Sequence, residues 1–208
     1  DLSYRAPQVP AITELDAWLA EAEAKVPNLR PDAHKTILWA AGAGVRPPLS
    51  VVYVHGFSAA APETRPVADR VAQALGANLF FTRLTGHGRD SAAMGTARVR
   101  DWADDLAEAL DIGRRLGDRV IVIGSSMGGA LSTLVALDPA YGADVAGLAL
   151  IAPAYRLPSP GGRVITMPFA RLWGPLLLGA TRVVAPRSPN HGAAWTLTYP
   201  TVSVLPLG

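Results

Sequence analysis

The residues with the clearest chemistry are Gly124-Ser125-Ser126-Met127-Gly128, a match to G-x-S-x-G followed by a further glycine, Gly129. A serine flanked in this way can sit on a sharp strand-to-helix turn. Small neighbours let the backbone fold tightly there and thrust the hydroxyl clear of the sheet. The chemistry is nucleophilic: Ser126 attacks a carbonyl carbon, while a helix starting at Met127 aims backbone N–H groups and its positive dipole end at the reacting atom. Such a pattern also arises by chance, and an ordinary glycine-rich turn stays open as an alternative. A phosphate-binding loop fits poorly, because no Lys follows the glycines and no G-x-G-x-x-G spacing is present. A second turn, His55-Gly56-Phe57, is the complement. The amides of Phe57 and Met127 are the candidate donors to an oxyanion, each such donor being worth roughly 3–4 kcal/mol in the transition state. His55 itself reads as an imidazole bracing that loop, and His87, in Gly86-His87-Gly88, as a loop-fixing residue under the site floor.

Both turns need a strand to enter from. Ser50–Val54 is β-branched and aromatic, apolar on both faces, and stops at His55-Gly56, as a buried parallel strand does. Residues 119–123 form a second such run, ahead of Ser126, and Asn78–Thr82 and Val145–Ile151 two more. Helices are predicted over 62–75 (Val67, Val71 and Leu75 at four-residue spacing), 98–116, 127–137 and, capped by Thr13, to about Lys25. In the 98–116 helix Trp102, Leu106, Leu110 and Gly113 face inward, and Asp101, Asp104, Asp105, Glu108 and Asp111 outward. Alternation of strand and helix over 50–151 implies an α/β fold with a mostly parallel sheet and helices on both faces.

The succession Tyr53-Val-His-Gly-Phe57, Thr82-Arg-Leu-Thr-Gly-His-Gly-Arg89 and Gly124-Ser-Ser-Met-Gly128 resembles the α/β-hydrolase fold family. Within it, the chain is similar to the branch of monoglyceride-lipase-like and serine-aminopeptidase-like hydrolases and bacterial carboxylesterases. The resemblance covers about residues 48–155 and extends more weakly to Tyr199-Pro200. It implies residues 1–154 as the N-terminal part of the hydrolase core and 155–208 as a lid-like segment. That segment carries Phe169, Leu172, Trp173, Leu176, Leu177, Leu178, Trp195 and Tyr199. An insertion of this kind caps the site and lines an acyl pocket, which implies a small apolar ester or acylglycerol-like substrate.

A serine hydrolase also needs a base and an acid, in the chain order Ser, then Asp or Glu, then His. Here the Val145–Ile151 strand ends in Ala152-Pro153-Ala154-Tyr155, and no Asp or Glu follows Asp144. Asp138 and Asp144 are expected on the side of the sheet away from Ser126. His191, the sole downstream His, reads as an exposed loop residue. The last core strands, with the acid and base, are therefore expected outside this sequence, in a C-terminal portion or a second chain. Without them Val145–Ile151 becomes a flat apolar sheet edge.

Composition bounds the rest. At 208 residues, 50% hydrophobic and 17% charged, the chain can bury one core and is not disordered. Residues 1–150 carry 14 Lys/Arg against all 17 Asp/Glu, a net of −3, whereas 151–208 hold five Arg and no acid. The 19 basic residues are scattered, which argues against nucleic acid as a partner. With no Cys and four His outside any H-E-x-x-H pair, no metal or other cofactor is expected. No apolar run reaches the roughly 18–20 residues of a membrane span, so the chain is read as soluble. It begins at Asp1, so a removed export signal or lipid anchor is left open. The reading is a serine esterase or lipase-like hydrolase acting through an acyl-enzyme on Ser126; a non-catalytic binding module of the same fold is the alternative.

Overall fold

A computed structural model of the chain describes residues 5, 7–156 and 166–207. Five strands make the main sheet: β1 (Thr36–Leu38), β2 (Leu49–Val54), β3 (Asn78–Phe81), β4 (Arg119–Ser125) and β5 (Val145–Ile151), in the order β1-β3-β2-β4-β5. Pairings among β2, β3, β4 and β5 are parallel, and β1 joins β3 antiparallel. The apolar run at 36–38 thus adds an edge strand to the expected parallel four.

Alternation along the strands sorts the core into two layers. Val52, Val54, Phe80, Val120 and Val122 pack toward helices α1 (Leu15–Ala24), α4 (Val99–Leu116) and α5 (Met127–Ala136). Val51, Tyr53, Leu79, Phe81 and Ile123 face the opposite way, toward α2 (Val67–Leu75). Helix α4 lies close to the sheet because of Gly113, where a Cβ would stand 2.8 Å from Val52 Cγ2. Trp102, Leu106, Leu110 and Gly113 are buried as their spacing requires. Asp105 does not point to solvent: its carboxylate accepts the Thr85 N–H and hydroxyl, and burial pushes it up to about 6.

Two helix expectations change. Residues 62–75 are not one helix: a 3₁₀ turn (Ala61–Thr64) precedes Pro66, and α2 starts only at Val67. Its buried residues are Ala68 and Ala72, while Val67 and Leu75 are exposed, because only small side chains fit this close to the sheet. Thr13 does not cap α1; it lies within a short 3₁₀ turn, Ile12–Glu14.

Short helices α3 (Ser91–Met94) and α6 (Pro139–Gly142) fill connections between strands. The segment after β5 holds α7 (Ala170–Leu178), α8 (Pro189–Ala194), a small antiparallel pair β6 (Thr181–Val183) and β7 (Thr198–Pro200), and a 3₁₀ stretch Thr201–Leu207. Arg163 lies outside the described residues. Among the described residues no helix is long and apolar enough to cross a membrane.

One feature of the sheet departs from a fully covered α/β core. β5 reads Val-Ala-Gly-Leu-Ala-Leu-Ile, the composition of a buried parallel strand. It nevertheless lies at the sheet edge, with Leu148 and Ile151 each 36% exposed.

Candidate active site

Ser126 occupies the turn between β4 and α5, at φ 48° and ψ −114°. For a non-glycine residue that conformation costs roughly 1–3 kcal/mol, and it persists only where the surroundings enforce it. The enforcement is visible. Ser126 N–H donates to Ile151 O at 2.9 Å, and Ser126 O accepts from Gly129, Ala130 and Ala154 N–H at 3.0–3.2 Å. Its glycine neighbours are required by space. A Cβ on Gly128 would lie 2.3 Å from Val54 O, and one on Gly124 2.7 Å from Gly129 Cα.

Facing this turn is the loop after β2. Gly56 abuts Ser126 so closely that a Cβ there would sit 3.2 Å from Ser126 Cβ. Phe57 follows, its ring edge-on to Tyr199, His87 and Trp102 with centroids 5.3–6.4 Å apart. The Phe57 N–H meets no acceptor among the described residues. Met127 is the first residue of α5, so its N–H is one of the unpaired donors of a helix start. Ser126, Phe57 and Met127 line one cavity of about 360 Å³. Its walls are apolar, with Trp102 and Leu131 among them.

The two histidines near the loop are fully buried. His55 Nε2 accepts the Leu84 N–H at 3.0 Å, which leaves Nδ1 protonated and donating to Gly56 O at 2.9 Å. Both nitrogens are engaged, so His55 cannot take a proton from Ser126. His87 Nδ1 is bonded to Thr85 O at 3.1 Å, and its ring lies 4.9 Å from that of His55. Burial lowers both imidazoles, His55 to about 3 and His87 to about 4.

No His, Asp or Glu side chain hydrogen-bonds Ser126 among the described residues. His191, on α8, uses Nδ1 to accept the Arg187 N–H and packs against Trp195. Asp138 caps α6 through Ala140 N–H, and Asp144 pairs with Arg114 at 3.0 Å. Val145 pairs with Val120 and Ile151 with Ser125, so Asp144 lies a full strand length from Ser126, roughly 20 Å at 3.3 Å per residue.

Two features escape a reading of the sequence. Glu63 swings back from its 3₁₀ turn to the loop, where Oε1 accepts the Gly56 N–H and the Tyr53 hydroxyl, each at 2.7 Å. Its only sequence signal is that it is the lone acid between Asp32 and Asp69. Of the described residues after β5, Ala154, Pro206 and Leu207 line the cavity. Phe169, Leu172, Leu176 and Leu177 instead are 72–85% exposed.

A parallel sheet between helices, with a strained serine at the strand-to-helix turn beside a His-Gly loop, defines an α/β-hydrolase. The chain belongs to the family described as "Serine aminopeptidase, S33", whose model matches residues 46–201. It is 30% identical over 112 residues to a thermostable monoacylglycerol lipase of Bacillus sp. (strain H-257), a match covering 54% of this chain and 43% of that protein. Less than half of that relative's length is thus represented. Among solved structures, that of the metagenome-derived lipolytic enzymes LipS and LipT superposes with a TM-score of 0.66 at 25% identity, covering 86% of this chain and 68% of that one. The monoacylglycerol lipase of Paleococcus ferrophilus gives 0.56 at 13% identity, covering 84% and 68%, a likeness of fold.

Proposed function

We propose that Ser126 is the nucleophile of a carboxylic ester hydrolase whose substrate carries an apolar acyl chain. The observation that carries this is the strained Ser126 turn opening into an apolar cavity that Phe57 and Met127 also line. Ser126 Oγ attacks the ester carbonyl as its proton passes to a base. The carbonyl oxygen becomes an oxyanion held by the two amides. The C–O bond then breaks, the alcohol leaves with the proton, and water releases the acid from the acyl-enzyme. An acylglycerol ester fits the apolar wall and accords with the names of the lipase relatives.

The base and acid lie beyond these residues in this reading, on strands that continue the sheet past β5. The exposed apolar edge of β5, and the lack of a titratable partner for Ser126 among the described residues, support that arrangement. The same lack of a partner favours a second reading for the 208 residues taken alone, as a ligand-binding module without hydrolytic turnover.

A fluorophosphonate probe and a p-nitrophenyl ester test the first reading in the complete protein. Labelling at Ser126 is expected. Ser126→Ala abolishes it and lowers kcat by ~10⁴–10⁶-fold. A folded, complete protein that neither labels nor hydrolyses would overturn it.

A further inference from the structure

Glu63 raises a question of chemistry. A carboxylate is out of place beside a site where negative charge must develop, and burial shifts it upward from its ordinary range. Yet one of its contacts falls on the residue that sets the direction of the Phe57 amide. The two peptide planes that meet at Gly56 are separately held. In the first, the Gly56 N–H donates to Glu63 Oε1 at 2.7 Å. In the second, Gly56 O accepts from His55 Nδ1 at 2.9 Å. That second plane also carries the Phe57 N–H. In a trans peptide the C=O and N–H point in opposite directions, so tying Gly56 O to His55 turns the Phe57 N–H the other way.

Glycine at this position leaves φ and ψ free to swing, and the lack of a Cβ is needed against Ser126. Fixing only the second plane would leave the first free to rotate. Glu63 removes that freedom, and the Tyr53 hydroxyl, donating to the same oxygen, holds Oε1 in place. We propose that Glu63 is a positioning residue that fixes Gly56, and through it the Phe57 amide, in the orientation that receives the oxyanion. The role rests on the hydrolase reading above.

The charge of Glu63 is not what the role needs; the acceptor oxygen is. Three variants of the complete protein separate the two. With a p-nitrophenyl ester, Glu63→Ala is expected to lower kcat about 10- to 100-fold with KM within about threefold, the signature of a displaced transition-state contact. A trifluoromethyl ketone inhibitor loses affinity by a similar factor. Glu63→Gln keeps the acceptor and stays within about threefold of the parent, whereas Tyr53→Phe, which loosens Oε1 but leaves the Gly56 contact, falls between Gln and Ala. In ¹⁵N-resolved spectra the Gly56 and Phe57 amide protons shift in Glu63→Ala.

Unchanged kcat in Glu63→Ala, or a Gln variant as impaired as Ala, overturns the proposal. Unmoved amide protons overturn it too, whether or not the protein hydrolyses esters. A parent that shows no Ser126-dependent turnover instead sinks the hydrolase reading, while the amide shifts still judge the brace. Should Glu63→Ala not fold, Glu63→Asp, one methylene shorter, gives the same readouts.

Discussion

At the scale of single residues, the site is bounded by groups that tolerate little change. Gly128 is the tightest: an added Cβ would meet two backbone oxygens, Val54 O at 2.3 Å and His55 O at 2.5 Å. Backbone cannot swing aside as a side-chain tip can. Gly128→Ala is therefore expected to destabilise by about 1–3 kcal/mol and to remove Ser126 labelling, measured by denaturant unfolding and probe capture. His55 and His87 make a second prediction, for pH. Burial keeps both neutral in the fold, at about 3 and about 4, whereas in the unfolded chain they ionise near 6.5. As pH falls below ~6.5 the unfolded chain takes up protons that the fold refuses, and stability drops. Asp105 works the other way, since its folded value of about 6 retains a proton that the unfolded carboxyl releases. Glu63, also shifted upward by burial, acts in the same sense as Asp105, but the two imidazole shifts are the larger and leave a net loss on acidification. The melting temperature is expected to fall between pH 7 and 5, and His87→Leu to flatten that slope. A flat parent curve would contradict neutral burial.

At the scale of elements, α4 does two jobs. Its Gly113 lets it lie against β2, and Trp102 projects from it into the cavity wall while its Nε1–H donates to Thr85 O at 3.0 Å. Trp102→Ala is expected to destabilise by about 3–5 kcal/mol and to move ester preference toward bulkier acyl groups, read from unfolding curves and a chain-length series. Most of this element was legible in its sequence, because the spacing of Trp102, Leu106, Leu110 and Gly113 records a single buried face. Asp105 was not, since its partner Thr85 comes from a different connection. Over residues 62–75 the sequence misleads for a local reason. Val67, Val71 and Leu75 at four-residue spacing imitate a core stripe, but the sheet admits only Ala68 and Ala72, and Pro66 keeps residues 62–65 out of the helix. Glu63 was invisible for the same reason: only the broken helix returns it to Gly56. The Ser126 turn could be read because its constraint is local, a strand, two glycines and a helix in unbroken succession.

At the scale of the whole molecule, the sheet is covered unevenly. β2, near the centre, is buried on both faces, while β5 keeps the same apolar composition at an open edge. Such edges invite pairing with other chains. The 208 residues expressed alone are expected to self-associate, and Leu148→Lys to reduce that association in sedimentation or light scattering. In a complete protein whose further strands cover β5, the same substitution should lower the melting temperature instead. Strand composition made β5 readable as sheet, but composition carries no information about which neighbours are present. The edge also has a bearing on the serine. Ser126 takes its N–H partner from Ile151 and receives the N–H of Ala154, both at the exit of β5. The Ser126 backbone is thus moored to an edge strand of the sheet. A chain docking along β5 would therefore bear on the hydrogen bonds that hold the strained Ser126 turn without touching the cavity.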